Sequence, residues 1–167
     1  MSAFGPSIHA SVVALPQGGV MLLGPSRSGK SSLALALIRQ KSATLVADDR
    51  AFVEVNADGA LVAMAPEQTA GLLEIRGMGI LRIGTEGQMP RRAEIALAVD
   101  LLARQDVPRL PSPSYLPPVN DLPHNDIPLL RLHAFDQQTP EIITLALATI
   151  GQQGFAEDGI NKWPDDA

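Results

Sequence analysis

Gly24-Pro25-Ser26-Arg27-Ser28-Gly29-Lys30-Ser31 fits the pattern G-x-x-x-x-G-K-[ST], a loop whose residue types can hold a nucleoside triphosphate. Its glycines let the backbone turn N–H groups inward, and the N-terminus of a following helix adds partial positive charge. Lys30 has the reach for β- and γ-phosphates, the Ser31 hydroxyl is a hard oxygen ligand for Mg²⁺, and Ser32 follows them into the helix. Asp48 and Asp49 stand 17 and 18 residues after Ser31. Two adjacent carboxylates can divide two tasks, one taking the proton of an attacking hydroxyl and the other holding Mg²⁺ through water. A structural glycine turn and a strand-ending Asp pair that caps its own turn are the plain alternatives.

Elements must bring these groups together. Gly19-Val20-Met21-Leu22-Leu23 reads as a buried strand entering the loop, and Ser31 to Ile38 as the helix leaving it, ending near Arg39-Gln40-Lys41. Ala43 to Ala47 reads as a return strand with Asp48 at its tip, the sheet edge where ligands of α/β folds sit. Upstream, residues 8–15 predict a strand that turns at Pro16-Gln17-Gly18-Gly19 into the loop strand, giving a hairpin. Phe52 to Asn56, Asp58-Gly59 and Leu61 to Met64 predict strand, turn and strand, and residues 66–72 a short helix. Gly77 and Gly79, inside an apolar stretch, imply a loop that something approaches closely. Residues 93–103 leave helix and strand open.

Between Pro108 and Pro128 fall seven of the chain's 14 prolines, which predicts a long, extended surface loop. Leu129 to Leu132 resumes order, and Pro140 to Ile150 reads as a terminal helix with Gly151 past its end. The polar tail from Gln152 is expected to fray, with Trp163 able to dock. We assign residues 1–150 to one phosphate-loop domain and 151–167 to a tail.

Composition narrows the class. A chain of 167 residues, 46% hydrophobic and 19% charged, fits one ordered domain with a buried core. A net charge of -5 without a Lys/Arg cluster argues against nucleic acid. Cysteine is absent, so disulfides and thiolate metal sites are excluded. No apolar run approaches the roughly 20 residues of a membrane-crossing helix, and Met1-Ser2-Ala3-Phe4 lacks the basic start of a signal peptide. A cytoplasmic protein without membrane contact is expected.

The phosphate loop, Leu45-Val46-Ala47-Asp48-Asp49-Arg50 and Leu73-Glu74-Ile75-Arg76-Gly77-Met78-Gly79-Ile80 occur together in this order and at this spacing. The set resembles the catalytic domain of the HPr kinase/phosphorylase family, bacterial enzymes acting on the HPr phosphocarrier of the sugar phosphotransferase system. The resemblance runs from about His9 to Arg109, with a weaker echo to residue 150, and is to the short form with the catalytic domain alone. It implies an α/β fold: a single phosphate-loop (P-loop) domain with a mixed sheet, like the HPr kinase/PEP carboxykinase-type core. It also implies ATP and Mg²⁺ as cofactors, HPr or an HPr-like carrier as partner, and a homo-oligomer as the family's habit.

By the same resemblance, Lys30 matches an active-site lysine, Ser31 and Glu74 the magnesium ligands, and Asp48 the carboxylate that deprotonates the substrate serine. In the reverse reaction Asp48 would protonate the leaving oxygen. His9 falls at the family's active-site histidine, and Arg109, in Pro108-Arg109-Leu110, at its catalytic arginine. Without the resemblance, His9 reads as a core histidine and Arg109 as a surface cation. Arg76 is a further cation able to meet phosphate or pair with Glu74.

After its arginine the family carries a basic loop implicated in the reverse reaction. The corresponding stretch, His133 to Pro140, contains no Lys or Arg, and inorganic phosphate needs cationic donors. A weak phosphorylase half is therefore expected beside an intact kinase half. Two other functions fit the same residues: a P-loop kinase with another acceptor, and a non-catalytic ATP-sensing regulator.

Overall fold

The computed structural model describes residues 6–84 and 92–165. The reading of Met1-Ser2-Ala3-Phe4 and the first five residues of the assigned domain lie outside them. Ser7–Ile8 (β1) and Ser11–Leu15 (β2) are two strands broken at His9 and Ala10, where one strand over 8–15 is expected. Gly18–Leu23 (β3) pairs antiparallel with β2 and enters the helix Lys30–Lys41 (α1). Thr44–Ala47 (β4) returns beside β2, and Ala51–Val55 (β5) forms a hairpin with Leu61–Met64 (β6). A single 3-10 turn, Glu67–Thr69, precedes a separate hairpin of Leu72–Ile75 (β7) and Gly79–Arg82 (β8).

The stretch that periodicity leaves open is a long strand, Arg92–Leu101 (β9). Leu129–Leu132 (β10), Thr139–Ala148 (α2) and Ile150–Gln153 (α3) follow. Gly151 lies inside α3 rather than past a helix end, because the chain breaks two residues earlier. There Thr149 leaves helical geometry and its hydroxyl donates to the Leu145 carbonyl at 2.8 Å.

The strands form one mixed sheet in the order β1-β5-β6-β9-β3-β2-β4, with β10 also on β9. β9 is shared along its length. Its first residues pair antiparallel with β6, Ala98 to Leu101 pair parallel with β10, and β3 runs parallel along the opposite edge. Only two residues join β1 to β2, and only Asp48, Asp49 and Arg50 join β4 to β5. Both connections therefore turn the sheet back on itself, and the two bends meet.

Alternation along the strands feeds two cores. Val13, Val20, Leu22, Leu97 and Val99 face the first, covered by Leu33 and Leu37 of α1 and Ile143 and Leu147 of α2. Val12, Met21, Val53, Leu61 and Ala98 face the second, between the folded halves of the sheet. Leu116 and Ile127, both buried, complete that second core. The proline-rich segment is thus extended, as expected, but it is a cover rather than a free surface loop. Each such buried aliphatic side chain contributes about 1.5–3 kcal/mol.

Two further expectations change. Nothing stands within 4 Å of a Cβ built on Gly77 or Gly79 among the described residues, so no close neighbour within the chain explains them. Their φ values of 87° and 109° do: the hairpin turn needs a left-handed backbone that side chains resist. The tail is partly tied down, since Phe155 packs edge-on against Tyr115 and the Gln152 amide donates to the Gln17 carbonyl, while Trp163 stays exposed.

Candidate active site

β3 ends at Leu23, and residues 24–29 wrap back before α1 begins at Lys30. Gly24, Arg27 and Gly29 all take positive φ, which curls the loop around its own amides. The helix start has no side-chain cap at Gly29, so the first amides of α1 have no partner from within the helix or from a capping side chain. The buried Ser28 hydroxyl also has no partner among the described residues. An uncapped helix start beside an orphaned hydroxyl fits a phosphate cradle.

Lys30 is 6% exposed and its ammonium donates to the Gly24 and Pro25 carbonyls at 2.9 and 3.0 Å. Burial pushes its pKa below the usual 10.5, while the negative charges of Asp49 and Asp48 oppose that shift. Asp48 is 8% exposed and accepts three donors. The Ser11 and Ser31 hydroxyls reach one carboxylate oxygen at 2.7 and 2.8 Å, and the Glu74 amide reaches the other at 3.2 Å. One buried carboxylate therefore ties together β2, the phosphate loop's serine and the β7–β8 hairpin.

Asp49 makes a different contact. Its φ of 64° turns the chain, and its carboxylate accepts from His9 at 2.7 Å while remaining 70% exposed. His9 is exposed at the other bend and is no core histidine. The Arg50 guanidinium, next along, donates to the Ser7 hydroxyl at 3.1 Å. The Glu74 side chain is exposed beside this cluster through its backbone contact alone. Ser31, Asp48, Asp49 and Glu74 supply hard oxygen donors of the kind Mg²⁺ prefers.

Arg109 is exposed and forms no hydrogen bond or ion pair among the described residues, so no contact joins it to the cluster. Pro25, Ser26 and Arg27 form the exposed crest of the loop, and Ser32 lies exposed on the first turn of α1. Ser11 is the residue that sequence reasoning missed. Its only signal was a hydroxyl inside an otherwise apolar strand.

The HPr Serine kinase C-terminal domain family matches residues 3–115. The chain belongs to that family. HPr kinase/phosphorylase of Geobacillus sp. (strain WCH70) is 38% identical over 98 residues, covering 57% of this chain and 31% of the relative. The enzyme of the same name from Lactobacillus acidophilus is 38% identical over 99 residues, covering 58% of this chain and 30% of the relative. The match thus spans about a third of the length of these curated relatives. The Hpr(Ser) kinase/phosphatase structure from Coxiella burnetii overlays with a TM-score of 0.68, at 23% identity, over 83% of this chain and 86% of that one. That overlay shows a shared α/β mixed-sheet fold. The HPr serine kinase domain match covers the phosphate loop, both bends and the β7–β8 hairpin, but ends before β10, α2 and α3.

Proposed function

We propose that this chain phosphorylates a serine hydroxyl on HPr or an HPr-like phosphocarrier, using ATP and Mg²⁺. One observation carries the reading: the Ser31 hydroxyl of the phosphate loop donates to Asp48 at 2.8 Å, beside the buried Lys30. A loop that merely turned the chain would have no reason to keep a cation and a carboxylate buried at its mouth.

Lys30 and the loop amides would hold the phosphates, and Mg²⁺ when bound would neutralise charge between them. Ser31 and Glu74 are the direct candidates to hold that ion. Geometry supports a division of the two aspartates that differs from the sequence expectation. Asp48 already accepts three donors, one from Ser31, which suits it to orient the metal side. Asp49 is the more exposed carboxylate, open to an incoming protein hydroxyl, and among the described residues its side chain pairs with His9. We therefore assign proton removal to Asp49 with His9, and charge support to Asp48. Arg109, exposed and unpaired among the described residues, is free to swing toward the transferring phosphoryl group.

The test is transfer of labelled phosphate from ATP to purified HPr with Mg²⁺. Wild type should label a single serine, and Lys30→Ala should abolish labelling while keeping its unfolding transition. Labelling of small hydroxylated molecules but not HPr would favour a changed acceptor. Tight ATP binding with no transfer to either would favour a regulator. Asp49→Asn should lower the transfer rate at saturating ATP and Mg²⁺, and Asp48→Asn should instead raise the Mg²⁺ requirement; the opposite pattern would return the base to Asp48.

A further inference from the structure

Phe135 is 60% exposed on the connection between β10 and α2, yet it is held in place. Its ring meets His133 edge to face with centroids 5.7 Å apart, and the His133 Nδ1 lies 2.9 Å from the Leu102 carbonyl oxygen. The connection presses on the phosphate loop. A Cβ built on Gly29 would stand 2.5 Å from the Ala134 Cβ and 2.9 Å from the Phe135 Cζ. On the helix side, Ser32 and Ala36 share with Ala134, Phe135 and Gln137 a cavity of about 210 Å³. None of the phosphate chemistry assigned above uses it.

A triphosphate seated in the loop has one covalent continuation. With its β- and γ-phosphates at Lys30, the α-phosphate leaves past the residue after Ser31, which is Ser32, and sugar and base must follow over the first turn of α1. The cavity beside Ser32 lies on that path. It is smaller than the roughly 300–1,000 Å³ of pockets that enclose whole ligands, and suits a base alone.

We propose that Phe135, braced by His133 against Gly29, is the stacking platform for the nucleobase, and so the residue that distinguishes ATP from a bare triphosphate. The proposal rests on the phosphate-loop reading above. An aromatic face attracts any base through its π-surface, and a purine more than a pyrimidine because it covers more of the ring.

The experiment measures Mg²⁺-ATP and Mg²⁺-tripolyphosphate affinities for wild type, Phe135→Ala and Phe135→Trp, the last in a Trp163→Phe background. Wild type should prefer ATP, and Phe135→Ala should weaken ATP about tenfold with tripolyphosphate unchanged. Phe135→Trp should restore the preference, with its indole fluorescence quenched by ATP and not by tripolyphosphate. Equal loss of both ligands in Phe135→Ala, an unchanged ATP preference, or an indole signal in Phe135→Trp indifferent to ATP would overturn the platform and leave the phosphate loop standing. Failure of wild type to bind tripolyphosphate would overturn the loop reading and this proposal with it. Should Phe135→Ala unfold, the Phe135→Trp comparison decides alone.

Discussion

Lys30 keeps a charge where water has largely been removed, and its neighbours set how long it does so. Its lowered pKa means the folded state gives up the proton more readily than the unfolded chain. The charge therefore costs stability below the folded pKa, and that cost fades as pH rises toward 10.5. Relative to wild type, Lys30→Met should look most stable near neutrality and lose ground in urea unfolding as pH climbs. Asp48→Asn removes one of the two charges opposing the shift, so the alkaline limb of ATP binding should move to lower pH; a limb unmoved or shifted upward would contradict the assigned cause. Ser11→Ala takes one donor from a buried carboxylate and should cost about 1–3 kcal/mol in urea unfolding. Lys30 and Ser31 were legible because the motif demands them, and the Asp pair because its spacing reaches the same edge. Ser11 was not, since one hydroxyl among Val12, Val13 and Ala14 has no pattern of its own.

At the scale of elements, two glycine turns make contrasting demands. Gly29 combines a φ of 99° with neighbours at 2.5 and 2.9 Å from any added Cβ, whereas Gly77 has a φ of 87° and open space. Gly77→Ala should cost about 1 kcal/mol of backbone strain. Gly29→Ala should cost more in stability and also weaken nucleotide binding, because it pushes the β10–α2 connection off the loop. Equal effects in thermal unfolding would contradict that distinction. Strands with clean punctuation, β3 to β6, were readable from alternation and turn residues. β9 was not, because an Ala/Leu run buried in one half and exposed at its start satisfies both periodicities. The proline-rich segment hid its role for a different reason. Its backbone cannot join a central ladder, so Leu116 and Ile127 enter the core singly, without any repeat to announce them.

For the whole molecule, the site depends on two bends held together rather than on one element. His9–Asp49, Ser11–Asp48 and Arg50–Ser7 cross from the first bend to the second, so loosening either strand pair should dissolve the cluster as a unit. ATP at a hundredfold excess over its dissociation constant should raise stability by about 2.7 kcal/mol, and Lys30→Ala should forfeit most of that gain. His133 to Pro140 brings no Lys or Arg, and Arg104 is already paired with Asp136. Phosphorolysis of phospho-HPr, followed as pyrophosphate formed from inorganic phosphate, should accordingly be far slower than forward transfer, followed as phosphoserine formed from ATP. Among the described residues, no helix is long and apolar enough to cross a membrane.

The shared strand β9 has a consequence for where this domain can be cut. A fragment ending at residue 115 would retain every side chain given a phosphate role above, Arg109 included. It would also strip Ala98 to Leu101 of their β10 partners and remove Ile143, Leu147 and Ile150 from the first core. Such a fragment should present a naked hydrogen-bonding rim and aggregate instead of turning over. The residues proposed to handle phosphate span less of the chain than the folding unit, whose last third supplies the β10 partner and the helical cover of the first core.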